Sequence, residues 1–118
     1  MKVDGSVDHD GGILEYSRIK GITIQAWSPF QYGFFQGVFV GHPDFPELNR
    51  ELEERAEQHG VTPSTIALAW ILRHPAGMQG IIGTTKPARV RELSRAAEVK
   101  LSRQEWYSLY RAAGNTLP

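Results

Sequence analysis

Apolar and polar positions along this chain fall into helical and strand-like stretches separated by clear breaks. Ile13 to Lys20 carries Ile13, Leu14 and Ile19 at helical spacing and ends at Gly21, which predicts a short helix with those three residues inward. Ile22-Thr23-Ile24-Gln25-Ala26-Trp27 alternates as a strand does, and Ser28-Pro29 stops it. Pro46 at a first helical position opens a helix to about His59, with Leu48, Leu52, the stem of Arg55 and Ala56 on one face and Gly60 beyond its end. Thr62 then caps a helix that begins at Pro63. Its stretch from Ile66 to Leu72 is apolar on most sides, as in a helix buried between other elements. Gly80-Ile81-Ile82 reads as a short strand and Pro87 to Ala97 as another helix. Ser102 with Glu105 forms a capping box for the last helix, which Gly114 terminates.

The first dozen residues, rich in Gly and Asp, read as loop. Residues 29–46 are broken by Gly33, Gly37, Gly41 and Pro43, yet carry Phe30, Tyr32, Phe34, Phe35, Phe39 and Phe45. So aromatic a segment predicts a folded loop covering something apolar. Strands alternating with helices imply an α/β fold with parallel pairing and right-handed crossovers. Two strands make a poor independent core, however. The pattern therefore describes a piece of a larger sheet, or a chain that assembles with other copies.

Composition narrows the partners. The 118 residues suit one small domain, with 41% hydrophobic and 22% charged residues, and thirteen basic side chains balance thirteen acidic ones. A net charge of zero gives no reason to expect nucleic acid or an anionic membrane as partner. No apolar run approaches the roughly 20 residues of a membrane span. The absence of cysteine excludes disulfides, thiolate metal sites and thiol nucleophiles. A cytoplasmic location fits these features. Glu51 to His74 imitates a helix-turn-helix, with Ser64 and Thr65 at the start of the second helix. That helix offers almost no polar face to a DNA groove. His9, His42, His59 and His74 lack metal-ligand spacing. His59 and His74 fall at helix C-termini, where the dipole favours a charged imidazole for purely structural reasons. Asp8, Asp10 and Asp44 sit in turns. No nucleophile elbow, zinc-protease or P-loop motif is present.

The chemistry concentrates in two turns. Ile81-Ile82-Gly83-Thr84-Thr85-Lys86-Pro87-Ala88-Arg89 runs from a strand into a helix, so free backbone N–H groups and a positive dipole end point at one spot. That spot suits a phosphate, with Lys86 and Arg89 adding charge. An ordinary helix start, with Thr as N-cap and Pro at the first position, is the other account of the same residues. Ala26-Trp27-Ser28-Pro29-Phe30 is a second hydroxyl-bearing turn at the carboxyl end of a strand. In α/β barrels ligands lie at the carboxyl ends of the strands, and phosphate commonly sits after the last two.

These residues resemble the C-terminal part of an aldo-keto reductase, over Ile13 to the end of the chain. The resemblance rests on Gln25-Ala26-Trp27-Ser28-Pro29-Phe30, on Gly60-Val61-Thr62-Pro63 with Ala67-Leu68-Ala69-Trp70-Ile71-Leu72, on Ile82-Gly83-Thr84-Thr85-Lys86-Pro87-Ala88-Arg89-Val90-Arg91-Glu92, and on Leu101-Ser102-Arg103-Gln104-Glu105-Trp106. It implies strands seven and eight of a (β/α)8 barrel followed by an accessory helix, so residues 1–118 would form a partial domain. It also implies NADP binding. Ser28, Pro29 and Phe30 would meet the pyrophosphate; Gly83, Thr84, Thr85 and Arg89 the adenosine 2′-phosphate, with Lys86 adding charge; Arg89 would stack on adenine, and Glu92 would lie near its edge. Many members carry a lysine where Gly83 stands and an asparagine where Leu93 stands, which implies weaker 2′-phosphate recognition here. The family's Asp, Tyr, Lys and His tetrad belongs to earlier strands, so no catalytic residue is assigned to this chain. A small carbonyl substrate is implied only for a complete barrel. Open strand edges imply the alternative of a half-barrel that pairs with itself or with a partner.

Overall fold

The computed structural model describes residues 12–33 and 36–117. The loop expected over the first dozen residues, and Phe34 and Phe35 of the aromatic loop, lie outside them, save that Gly12 already begins a helix. The elements follow as α1 (Gly12–Lys20), β1 (Gln25–Trp27), α2 (Pro46–His59), α3 (Pro63–Leu72), β2 (Gln79–Ile81), α4 (Pro87–Ser94) and α5 (Arg103–Ala112). Between α4 and α5 the chain tightens into one 3-10 turn, Arg95–Ala97. The helix expected as far as Ala97 thus ends in two geometries, and Ala96 is still buried at the tight end.

β1 and β2 pair in parallel, with Gln25 opposite Gln79, Ala26 opposite Gly80 and Trp27 opposite Ile81. Outside the strand proper, Gln79 N–H donates to the Ile24 carbonyl at 2.9 Å, and the Gln25 side chain donates through Nε2 to Gln79 Oε1 at 2.9 Å across the pair. The strand expected from Ile22 is shorter than its alternation suggests, because β2 offers partners only from Gln79 onward.

The core lies in the helices rather than under the sheet. Leu48, Leu52 and Ala56 of α2 meet Ile66, Leu68 and Ala69 of α3, and Leu93, Ala96, Leu101 and Leu109 close the layer from the C-terminal side. Caps hold these helices as their residues predict. Gly60 adopts φ 63° beyond α2, the Thr62 hydroxyl accepts from Thr65 N–H, and Ser102 and Glu105 complete a capping box on α5. Trp70 and Trp106 clamp α3 to α5. Their rings stack at 4.5 Å and 7°, and each indole N–H donates to the other's carbonyl at 3.0 and 2.9 Å.

The N-terminal third departs from expectation. α1 forms, but Ile13 is 62% exposed and Ile19 79% exposed, while the buried residue of the helix is Ser17. Among the described residues no helix layer faces the apolar stripe of α1, and the inward placement of Ile13 and Ile19 does not hold. Trp27, at the end of β1, is likewise 70% exposed.

Candidate cofactor-phosphate site

Both parallel strands end in a left-handed residue on the same side of the sheet. After Trp27 the chain turns at Ser28, whose φ is 48°, the sole non-glycine with positive φ among the described residues. A side chain held there costs on the order of 1 kcal/mol, so the turn is enforced by its surroundings. Gln31 N–H donating to the Ser28 carbonyl at 3.0 Å closes it. After Ile81 and Ile82 the second turn is made by Gly83 at φ 58°, a conformation that suits glycine. The two turns wall one groove of about 290 Å³, lined by Ser28, Pro29, Phe30, Val38, Ile82 and Gly83 among others.

α4 starts beside that groove, and its start differs from an ordinary capped one. The N-cap position is Lys86, not a threonine, and no side chain caps the helix. The Thr84 hydroxyl instead accepts from Lys86 N–H at 3.3 Å, inside the turn. Pro87 has no N–H, so the donors of the first turn are left unclaimed by any side chain, at the positive end of the helix dipole. Thr85 and Lys86 are exposed at this point.

Arg89 joins the two turns. Its guanidinium lies over the Phe30 ring at 5.7 Å, a cation–π contact across the groove. One terminal nitrogen donates to Glu92 Oε1 at 2.6 Å, the other to Ser64 Oγ at 2.9 Å. Glu92 Oε1 also accepts from the Thr62 hydroxyl at 2.6 Å. That hydrogen bond, with Arg89 adding to it against the opposing effect of burial, holds the Glu92 carboxyl below its ordinary range. Glu92 therefore fixes Arg89 and ties α4 to the start of α3, where Thr65 Oγ1 donates to the Glu92 carbonyl at 3.2 Å. Leu93, the next residue, is 1% exposed and belongs to the core, so no polar group is presented to the groove from that position.

All nine residues singled out in the sequence sit on these two turns or on α4, and Arg89 bridges them. Sequence reasoning missed Ser64, whose hydroxyl orients Arg89. It also missed Asn49. The Asn49 Oδ1 accepts from Gly41 N–H at 2.6 Å, and its Nδ2 donates to the carbonyls of Phe39, His42 and Phe45 at 2.9–3.1 Å. One buried amide thereby folds the aromatic loop back onto α2, and Tyr32 OH with His42 Nε2 at 2.9 Å closes its outer side. The signal was present: asparagine disfavours helix interiors, and this one stands beside Leu48 on the buried side. His74 departs from its expected behaviour, because burial and the nearby Arg18 charge lower its pKa despite Glu15 and the helix terminus. No helix among the described residues is long and apolar enough to cross a membrane.

Comparison with known proteins identifies the family and the fold. Residues 6–113 match the model of the aldo/keto reductase family. A 6-dehydroglucose reductase of Agrobacterium fabrum is 34% identical over 103 residues, covering 86% of this chain and 33% of the relative. Another of that name from Novosphingobium aromaticivorans is 33% identical over 116 residues, covering 92% and 36% respectively. A thermostable aldo-keto reductase solved with the inhibitor epalrestat superposes with a TM-score of 0.68 at 30% identity, over 90% of this chain and 36% of its own. The chain thus spans about a third of the length of these relatives, with two parallel strands and no closed barrel among the described residues. It is a partial (β/α)8 barrel, and it belongs to the aldo/keto reductase family.

Proposed function

We propose that this chain is the cofactor-holding end of an NADP-dependent carbonyl oxidoreductase that works in the cytoplasm. The observation that carries this reading is the groove itself. Two left-handed turns at the carboxyl ends of parallel strands share it with an uncapped helix start and an arginine held over the Phe30 ring. These groups fit a dinucleotide. Ser28 and the backbone at Pro29 and Phe30 hold the pyrophosphate. Gly83, Thr84, Thr85 and Arg89, with Lys86 adding charge and with the first N–H groups of α4, hold the 2′-phosphate. Arg89 offers its flat face to adenine, and Glu92 acts by positioning Arg89. The bound cofactor supplies the hydride. The proton donor and its partners belong to strands outside this chain's share of the barrel, and a small carbonyl substrate rests partly against the aromatic loop. Family membership and the names of the reductases it resembles support the reaction class.

Titrating NADPH and NADH against a complete barrel carrying this segment tests the reading. NADPH should bind about tenfold or more tightly, the worth of one charge-assisted contact, and Arg89→Ala should erase most of that preference. Equal affinities in the unaltered barrel would sink the 2′-phosphate site. The isolated chain should show no NADPH-dependent carbonyl reduction, and turnover near 1 per second from purified chain would overturn that part.

A second reading is supported by the exposed apolar residues Ile13, Ile19, Ile22 and Trp27 beside an open two-stranded sheet. Here the half-barrel is an assembly module rather than an enzyme part, and its oligomeric state decides between the two.

A further inference from the structure

At the opposite end of the sheet, where the strands begin, the chain leaves α3 at Leu72 and enters β2 at Gln79. The start of that connection and the first turn of α5 wall a separate cleft of about 220 Å³, lined by Arg73, His74, Pro75, Arg103, Trp106 and Tyr107. Its charge is unbalanced. Arg73 is anchored through Nε, which donates to the Leu101 carbonyl at 2.9 Å, and neither Arg73 nor Arg103 has a carboxylate partner among the described residues. The nearby acids are engaged elsewhere. Glu105 accepts from His59 at 2.8 Å and from Ser102 N–H at 2.7 Å, and Glu15 faces Arg18 at 3.8 Å. His74 Nδ1 accepts from Ala76 N–H at 3.1 Å, which places the proton of the neutral ring on Nε2 as a further donor.

The remaining wall is flat and rigid. Trp106 is locked by its stack on Trp70 and by the reciprocal indole bonds. Tyr107 stands edge-on to it at 5.1 Å and 86°, and remains 38% exposed. The capping box already engages the Ser102 and Glu105 N–H groups at the start of α5, and the full charges offered to an anion are the guanidinium groups. Guanidinium forks select planar or tetrahedral oxyanions, and an exposed phenol ring beside them selects a second ring.

We infer that this cleft is a second ligand site, distinct from the cofactor turns, for an oxyanion carried on a flat ring, an aryl phosphate being the simplest case. Titration of the 118-residue chain with phenyl phosphate and with inorganic phosphate, followed by ¹H–¹⁵N NMR, tests it. Saturable shifts should fall on residues 73–76, residues 102–107 and the Trp106 indole, with phenyl phosphate the tighter ligand. Arg103→Gln removes an exposed side chain that holds nothing else in place. It should weaken phenyl phosphate about tenfold while leaving the rest of the spectrum in place. Arg103→Lys should recover part of the loss, and Tyr107→Leu should bring phenyl phosphate down to the affinity of inorganic phosphate. Shifts confined to residues 83–89, absence of saturation, or wild-type binding by Arg103→Gln would each overturn the site. Equal binding of the two phosphates by the unaltered chain would overturn the requirement for a ring.

Discussion

Glu105 joins the start of α5 to the end of α2. It closes the capping box of α5 and accepts from His59 at the end of α2, so one carboxylate ties two helices through charged hydrogen bonds. Burial pushes its pKa up, but the Ser102 hydroxyl, the Ser102 backbone N–H and His59 together outweigh burial and lower it to about 2. A carboxyl depressed in the folded state stabilises above its unfolded value of 4.5, and that stability is lost as pH falls from there toward 2. Urea unfolding should therefore show a loss on the order of 1–3 kcal/mol between pH 5 and pH 3, much reduced in Glu105→Gln. Equal acid sensitivity in the two proteins would remove Glu105 from the account. The pairing of Ser102 with Glu105 is readable from spacing alone, because a capping box is local. The partner His59 stands 46 residues away, so its contact depends on how α2 meets α5. The same division runs through the candidate site at the two turns. The turn residues Ser28 and Gly83 are legible from their neighbours. The left-handed φ of Ser28 and the hold of Ser64 and Glu92 on Arg89 arise only in three dimensions.

Among the elements, β2 is fixed by how closely it approaches α3. A methyl group at Gly80 would overlap the Leu68 side chain, and Leu68 is itself buried in the helical core. Gly80→Ala should thus destabilise the chain by about 1–3 kcal/mol through overpacking. Pairing it with Leu68→Ala should cost clearly less than the sum of the two single changes, since each relieves the other. Strict additivity in a double-mutant cycle would mean that Gly80 is not read by Leu68. The elements that sequence describes well are those with local punctuation: α2, α3 and α5 carry Pro46, Pro63, Thr62, Ser102 and Gly60 at their ends. α1 was legible as a helix but not in its orientation. Helical spacing of Ile13, Leu14 and Ile19 predicts an apolar face, and only a neighbouring layer can decide whether that face is covered. β1 is shortened for the same reason, as strand length is set by the partner.

At the scale of the molecule, the two-strand sheet has, among the described residues, no further strand on either outer edge and no helix over its apolar side. Ile13 and Ile19 on α1, Ile22 before β1, Trp27 at its end and Ile81 at the end of β2 are all exposed. In a complete barrel parallel strands are flanked on both sides and covered by helices. In the isolated 118 residues, about a third of the length of the relatives, that surface meets water, where unpaired strand edges and apolar area favour association. Sedimentation velocity of the isolated chain should therefore show concentration-dependent association. Ile13→Lys with Ile19→Lys, two exposed positions whose replacement leaves the helical core untouched, should shift it toward monomer. A longer chain that also supplies the other strands of the barrel should abolish it altogether, because the edges are then paired. A monodisperse monomer at every concentration would argue that two strands suffice, and would remove the assembly module as a second reading of this half-barrel.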